Sequence, residues 1–171
     1  MANNALKINA FEMLRRPGTV RSIRIAVDPA TLDVEDSRIF PGSEVEIDLD
    51  CESLSDGIVV RGRVAASFHG ECRRCLEPIV GRIDADVNEL YQVSVTDPDA
   101  FPIEGDQIDL VPMVRETILL DLPDAPLCTL ECAGLCATCG KDLNEGQCSC
   151  PRETVDPRWS VLDALRDRLP E

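Results

Sequence analysis

Six cysteines crowd into the stretch from Cys128 to Cys150 (Cys128, Cys132, Cys136, Cys139, Cys148 and Cys150), and two more form Cys72-Arg73-Arg74-Cys75 in mid-chain. No fold can leave that many thiols so close together without giving them a common task. The strongest piece is Cys136-Ala137-Thr138-Cys139-Gly140 followed by Cys148-Ser149-Cys150. A CxxCG turn points its amides at the sulfurs and delivers two thiolates to one ion, and a second close pair completes a tetrahedral S4 set. The spacings therefore predict two zinc ions. One is held by Cys136, Cys139, Cys148 and Cys150, and the other by Cys72 and Cys75 together with Cys128 and Cys132, which ties the tail back onto the body. Sequence leaves open the exchange of Cys132 for another of the set.

Redox compartment decides between metal and disulfide. The opening residues, Met1-Ala2-Asn3-Asn4-Ala5-Leu6-Lys7-Ile8, hold no apolar run suited to a signal peptide, and no stretch is long enough to span a bilayer. We therefore expect a cytoplasmic protein without a membrane partner, where thiols stay reduced and bind metal. Of the nine cysteines, Cys51 is the one left over. It continues the alternation Val45, Ile47, Leu49, Cys51 and reads as a small core residue.

With 171 residues, 44% of them hydrophobic, the chain can build one sizeable core. We expect residues 1–125 to form an antiparallel sheet with a packed helix, and residues 126–171 to form a cysteine-rich zinc segment within the same domain. The formal charge of -15 argues against the whole chain wrapping nucleic acid. That charge is unevenly dealt: residues 1–27 and 57–83 are net basic, while 28–56 and 84–124 are strongly acidic. Eight thiolates on two zinc ions would make the protein more acidic still.

Val20-Arg21-Ser22-Ile23-Arg24-Ile25-Ala26-Val27 reads as a strand preceded by a turn at Arg15-Arg16-Pro17-Gly18 and, before that, a short helix or strand. Val45 to Cys51 alternates with acidic residues, turns at Ser55-Asp56-Gly57, and returns through Val60, Val64, Ala66 and Phe68 alternating with Arg61 and Arg63. Ile79, Ile83, Ala85 and Val87 make a third alternating run, so Cys72 and Cys75 fall in the connection between two strands. Residues 94–108 are expected to be an acidic, mobile loop. Asp109 caps a predicted helix whose apolar face is Leu110, Val111, Val114, Ile118 and Leu122, with Pro112 in its first turn. Asp156-Pro157 starts a predicted C-terminal helix with the stripe Trp159, Leu162, Leu165, Leu169. The fold class is thus α+β: an antiparallel sheet, a helix on it, and a zinc-binding tail ending in a helix.

Two enzymatic readings compete. Cys132-Ala133-Gly134-Leu135-Cys136-Ala137-Thr138-Cys139 has the CxxxCxxC spacing with which radical S-adenosylmethionine enzymes hold a [4Fe-4S] cluster, but the antiparallel patterning before it is not the α/β barrel of those enzymes. A thiol redox role for Cys72 and Cys75 needs the pair to open a helix, whereas Pro78 and the run after it predict a strand. His69 is the only histidine. It reads as an exposed turn residue, with a spare metal ligand as the alternative.

The blocks Phe68-His69-Gly70-Glu71-Cys72-Arg73-Arg74-Cys75-Leu76, Ile108-Asp109-Leu110 leading to Glu116-Thr117-Ile118-Leu119-Leu120-Asp121-Leu122-Pro123, Cys132-Ala133-Gly134-Leu135-Cys136 through Cys139-Gly140-Lys141-Asp142-Leu143-Asn144, and Asp156-Pro157-Arg158-Trp159 together resemble the YceD family, named for large ribosomal RNA subunit accumulation. The resemblance runs in order from about Leu6 to Leu169. It implies a non-enzymatic factor in ribosome biogenesis whose partners are the large ribosomal subunit precursor, its ribosomal RNA, or a basic ribosomal protein such as L32, whose gene often lies beside that of the family. Two modes of contact are then expected. Arg61, Arg63, Arg73, Arg74 and Arg82 form a basic patch for RNA phosphates, or the acidic faces hold a basic ribosomal protein.

Overall fold

Strict alternation makes a strand amphipathic, and a long hairpin of two such strands needs something to cover its apolar side. That logic organises the computed structural model, which describes residues 6–40 and 42–151. In chain order the elements are β1 (Lys7–Asn9), α1 (Ala10–Leu14), β2 (Val20–Val27), a single 3-10 turn (Pro29–Leu32), β3 (Val45–Ser53), β4 (Gly57–Glu71), β5 (Pro78–Gln92), β6 (Phe101–Pro102), β7 (Gln107–Asp109) and α2 (Val111–Asp121). The architecture is mostly β. Strands β2 to β6 form one sheet in chain order, and β1 pairs with β7 in a separate two-stranded ribbon.

The register puts every apolar set on one face. Val45, Ile47 and Leu49 stand opposite Ala66, Val64 and Gly62, which in turn face Ile83, Ala85 and Val87. Val45, Ile47, Leu49, Cys51, Val60, Val64, Ile83 and Tyr91 are all buried in one core with Met13 of α1 and Val111, Met113, Val114 and Ile118 of α2. Cys51 is fully enclosed, as its place in the alternation predicts. Met113, on the covered side of α2, joins the apolar face read from the sequence.

Backbone shape fixes part of this register. Gly62 sits at φ 147°, and a Cβ there would run into the Asp48 carbonyl on β3, so only glycine lets the two strands close. The α2 helix begins where Asp109 accepts the Val111 N–H at 3.0 Å. It ends at Leu122, whose extended backbone leads into Pro123.

Residues 94–108 differ from the loop expected of them. Gln92 accepts hydrogen bonds from the backbone N–H groups of Thr96 and Asp97, the chain turns, and β6 runs parallel to the end of β5. The sheet is therefore mixed at this edge. The predicted C-terminal helix, from Asp156 to Leu169, lies outside the described residues.

Candidate metal centres

The end of β4 and the start of β5 are joined by a turn in which Leu76 N–H donates to the Cys72 carbonyl and Cys72 N–H to the Glu77 carbonyl, both at 2.9 Å. Cys72 and Cys75 project from this turn. Arg73 N–H donates to the Pro126 carbonyl at 3.0 Å and docks the cysteine-rich segment against it. Cys128 and Cys132 are thereby carried to the first pair: the Sγ atoms of Cys72 and Cys132 are 3.8 Å apart, and those of Cys75 and Cys128 are 3.6 Å apart. A disulfide would need about 2.05 Å. Four sulfurs at about 2.3 Å from a tetrahedral zinc ion are about 3.8 Å from one another, so the spacing fits a metal site. Cys72, Cys75 and Cys132 are buried, with Ile79, Leu127 and Leu135 packed against them.

The second quartet is built from a turn of the same kind. Gly140 N–H donates to the Cys136 carbonyl at 2.8 Å and Cys136 N–H to the Lys141 carbonyl at 2.9 Å. Leu135 and Asp142 bridge across the base of the turn. Cys136 and Cys139 are joined by Cys148 and Cys150, and within each quartet all the sulfurs lie inside 4.8 Å of one another. This second group is closer to solvent: Cys139 is exposed and the other three are half-buried.

Both turns aim amides at sulfur. The backbone N–H groups of Cys128, Cys75 and Arg74 hold the Cys72 thiol down to about 6. Those of Cys139 and Thr138, with help from the Cys148 thiol, hold Cys136 down to about 6. Further ionisation is resisted. At Cys75 the Glu77 amide favours the thiolate, but burial and the Cys72, Cys128 and Cys132 sulfurs outweigh it and push the group up to about 12. Cys150 is pushed up to about 12, chiefly by the Cys139 thiol. Within each quartet one thiol is thus readily ionised while another is held protonated, and a cation among the sulfurs would favour the thiolate at the latter.

Arg74 and Asn144 join the two quartets. The Arg74 carbonyl accepts the Leu135 N–H at 2.9 Å, and its guanidinium donates to the Cys132 carbonyl at 2.9 Å. Gly134 is at φ 72°, and a Cβ on it would lie 2.9 Å from the Arg74 carbonyl oxygen. Asn144, from the second module, accepts the Ala133 N–H at 2.7 Å and donates from Nδ2 to the Cys132 sulfur at 3.4 Å. The cysteine spacing gives no hint of this outer contact, because it forms only after the second turn has folded back.

The remaining placements bear on the competing enzymatic readings, and His69 is the residue among them that departs from expectation. The CxxxCxxC triple is split, with Cys132 in the first quartet and Cys136 and Cys139 in the second. That arrangement does not present three thiolates to one [4Fe-4S] cluster. Cys72 and Cys75 open no helix; they sit in the turn between β4 and β5. His69 lies within β4 and not in an exposed turn, half-buried and stacked on Phe40 with ring centroids 3.7 Å apart. It belongs to neither quartet.

The five arginines do not form one unpaired basic patch. Arg61, Arg63 and Arg82 share the outer face of the sheet, where Arg61 pairs with Glu52 at 3.3 Å, Arg63 with Asp86 at 3.0 Å and Arg82 with Glu46 at 2.7 Å. The register explains this, since Arg63 on β4 stands between Asp48 on β3 and Asp86 on β5. Arg74 is engaged with carbonyls at the knuckle, and Arg73 beside it has no carboxylate within ion-pair distance among the described residues.

A family model described as large ribosomal RNA subunit accumulation protein YceD matches residues 60–166, a span that takes in both cysteine quartets. The chain belongs to the YceD family. An uncharacterized protein of Mycobacterium tuberculosis is 36% identical over 165 residues, covering 92% of this chain and 79% of that protein. An uncharacterized protein of Mycobacterium leprae is 32% identical over 169 residues, covering 92% and 76%. The large ribosomal RNA subunit accumulation protein YCED homolog 1, chloroplastic, of Arabidopsis thaliana is 33% identical over 69 residues, 40% of this chain and 22% of that one. No solved structure matches the chain. The YceD family name points to a role in the accumulation of large-subunit ribosomal RNA, and no helix among the described residues is long and apolar enough to cross a membrane.

Proposed function

We propose that this YceD-family chain is a non-enzymatic, two-zinc factor of large ribosomal subunit biogenesis in the cytoplasm, which supports accumulation of the subunit's RNA by holding a basic ribosomal protein, such as L32, on its acidic face. The observation that carries the mode of contact is the outer face of the sheet. Arg24, Arg61, Arg63 and Arg82 are there outnumbered by Glu46, Asp48, Asp50, Glu52, Asp84 and Asp86, and every one of the four is already within ion-pair distance of a carboxylate. Such a surface repels phosphate and attracts a polycation.

The metal role is structural in this reading. Each quartet supplies four thiolates to one ion and leaves no coordination position for substrate, which is the pattern of closed structural zinc sites. The same four-sulfur geometry also suits iron, so metal identity is part of the test. A closed site lends its binding free energy to folding and gives order to a segment from Cys128 to Cys150 that contributes only Cys132 to the buried apolar set.

Titrating purified ribosomal protein L32, and separately large-subunit ribosomal RNA, into the full chain at rising salt tests the proposal. Salt-sensitive binding of the protein, lost in an Asp50→Lys, Asp84→Lys variant of unchanged metal content, is the expected result. RNA binding abolished by Arg73→Glu, with no binding of the protein, would transfer the function to the basic knuckle. If neither ligand binds, the proposal fails.

A further inference from the structure

We infer that Arg15, Arg16 and Arg21, together with Phe11, form a contact surface for single-stranded RNA, on a part of the molecule separate from both the cysteine quartets and the acidic face. Seven lysine and arginine side chains among the described residues lie within 4.0 Å of a carboxylate. Arg74 and Lys141 donate to backbone carbonyls instead. Of the four cationic side chains that remain, Arg73 stands alone at the knuckle, and Arg15, Arg16 and Arg21 line one concavity with Asn9, Glu12, Met13 and Thr19. Among the described residues, three of the four cationic side chains without such a partner are thus gathered in one place, with Glu12 the one described carboxylate lining it.

The presentation is ordered by backbone and core. Arg16 N–H donates to the Met13 carbonyl at 3.0 Å, Gly18 N–H to the Ser53 carbonyl at 2.7 Å, and Ser53 N–H back to the Thr19 carbonyl at 2.9 Å. Met13 and Ala10 of α1 are buried in the main core, so the turn bearing the arginines is pinned at both ends. Arg21 projects from β2, an edge strand of the large sheet. Guanidinium groups carried on an ordered backbone suit bidentate contact with phosphate oxygens.

An acidic peptide would also satisfy three arginines, and the aromatic group decides between the two. The Arg15 guanidinium lies 4.0 Å from the centre of the Phe11 ring, and Phe11 as a residue is 42% exposed. A flat, accessible aromatic beside phosphate-binding arginines is what an unpaired base stacks on, and it offers a carboxylate nothing.

The test uses the full, metal-loaded chain and a fluorescently labelled, mixed-sequence single-stranded RNA, with anisotropy read across a salt series. The parent should bind with an affinity that falls linearly on a log–log plot against salt. Arg15→Gln, Arg16→Gln, Arg21→Gln should make that slope shallower by about 2, at about 0.7 per lost phosphate contact. Phe11→Ala should weaken binding about tenfold without changing the slope. Arg115→Gln on α2 serves as the control and should change neither, and metal content should be equal in all four proteins. Should the triple variant lose metal, Phe11→Ala and single Arg21→Gln carry the test. Absence of RNA binding by the parent, an unchanged slope in the arginine variants, or equal displacement of the RNA by polyglutamate would overturn the inference, the last by showing a surface for acidic protein. None of these outcomes depends on whether the acidic face binds a ribosomal protein.

Discussion

Asn144 is the residue at which the two thiol quartets meet, since its amide reaches the Cys132 sulfur from the other module. Partners of this kind orient a ligand and tune its basicity, and their loss costs about 10- to 100-fold in metal affinity. Asn144→Ala should therefore weaken metal at the first quartet by that factor and leave the second unchanged, as read by competition with a chromophoric chelator. Gly62 is a second sensitive point. Gly62→Ala forces a Cβ against the Asp48 carbonyl at φ 147°, and a destabilisation of about 3 kcal/mol in urea unfolding is expected. Cys51 gives a pH signature. Burial pushes its thiol up to about 11 from an ordinary value of 9.0, so the folded state disfavours the thiolate. The stability it contributes is complete below the unfolded value and is lost as pH rises from there toward the folded one. The urea midpoint of the parent should thus fall more steeply than that of Cys51→Ala between about pH 8 and pH 10.5. A parallel fall in both proteins would remove Cys51 as the cause.

Among the elements, the β3–β4 hairpin, β5 and α2 were legible because each repeats its pattern over many residues. Period-2 alternation named the buried side of β3, β4 and β5, and Asp109 with Pro112 announced the helix. β1, β6 and β7, of two or three residues each, are too short to show a period, and β1 finds its partner only through a pairing from one end of the described chain to residues beyond 106. The pairing of the arginines was hidden for a related reason. A basic run in sequence says nothing about cross-strand neighbours until the register is set, and the register places carboxylates beside Arg61, Arg63 and Arg82. The helix carries its own prediction: Ile118 is fully buried between α2 and the sheet, and Ile118→Ala should cost about 2 to 5 kcal/mol in equilibrium unfolding while leaving metal content intact.

For the molecule as a whole, charge and metal act together. In the proposed reading, a body of formal charge -15 would gain further negative charge when eight thiolates hold two divalent ions, so that it would draw basic partners and admit phosphate only where arginines stand unpaired. The quartets also differ in exposure, which predicts an order of loss: a chelator should strip the half-exposed Cys136 to Cys150 site before the first quartet, where Cys128 is exposed but Cys72, Cys75 and Cys132 are buried. Two release phases, the faster one abolished by Cys139→Ser, would report this order. Local spacing favoured this grouping of the eight thiols, since close pairs suit one ion, but left Cys132 exchangeable; the contact through Asn144 was not legible at all, because it exists only between folded modules. The most direct test of the central claim is elemental analysis of the full chain purified anaerobically without added metal, with thiols counted in parallel. Two zinc ions per chain are predicted, with eight thiols that become reactive on chelation and Cys51 reacting only on unfolding. Iron with labile sulfide, or nine thiols free of any metal, would contradict the account.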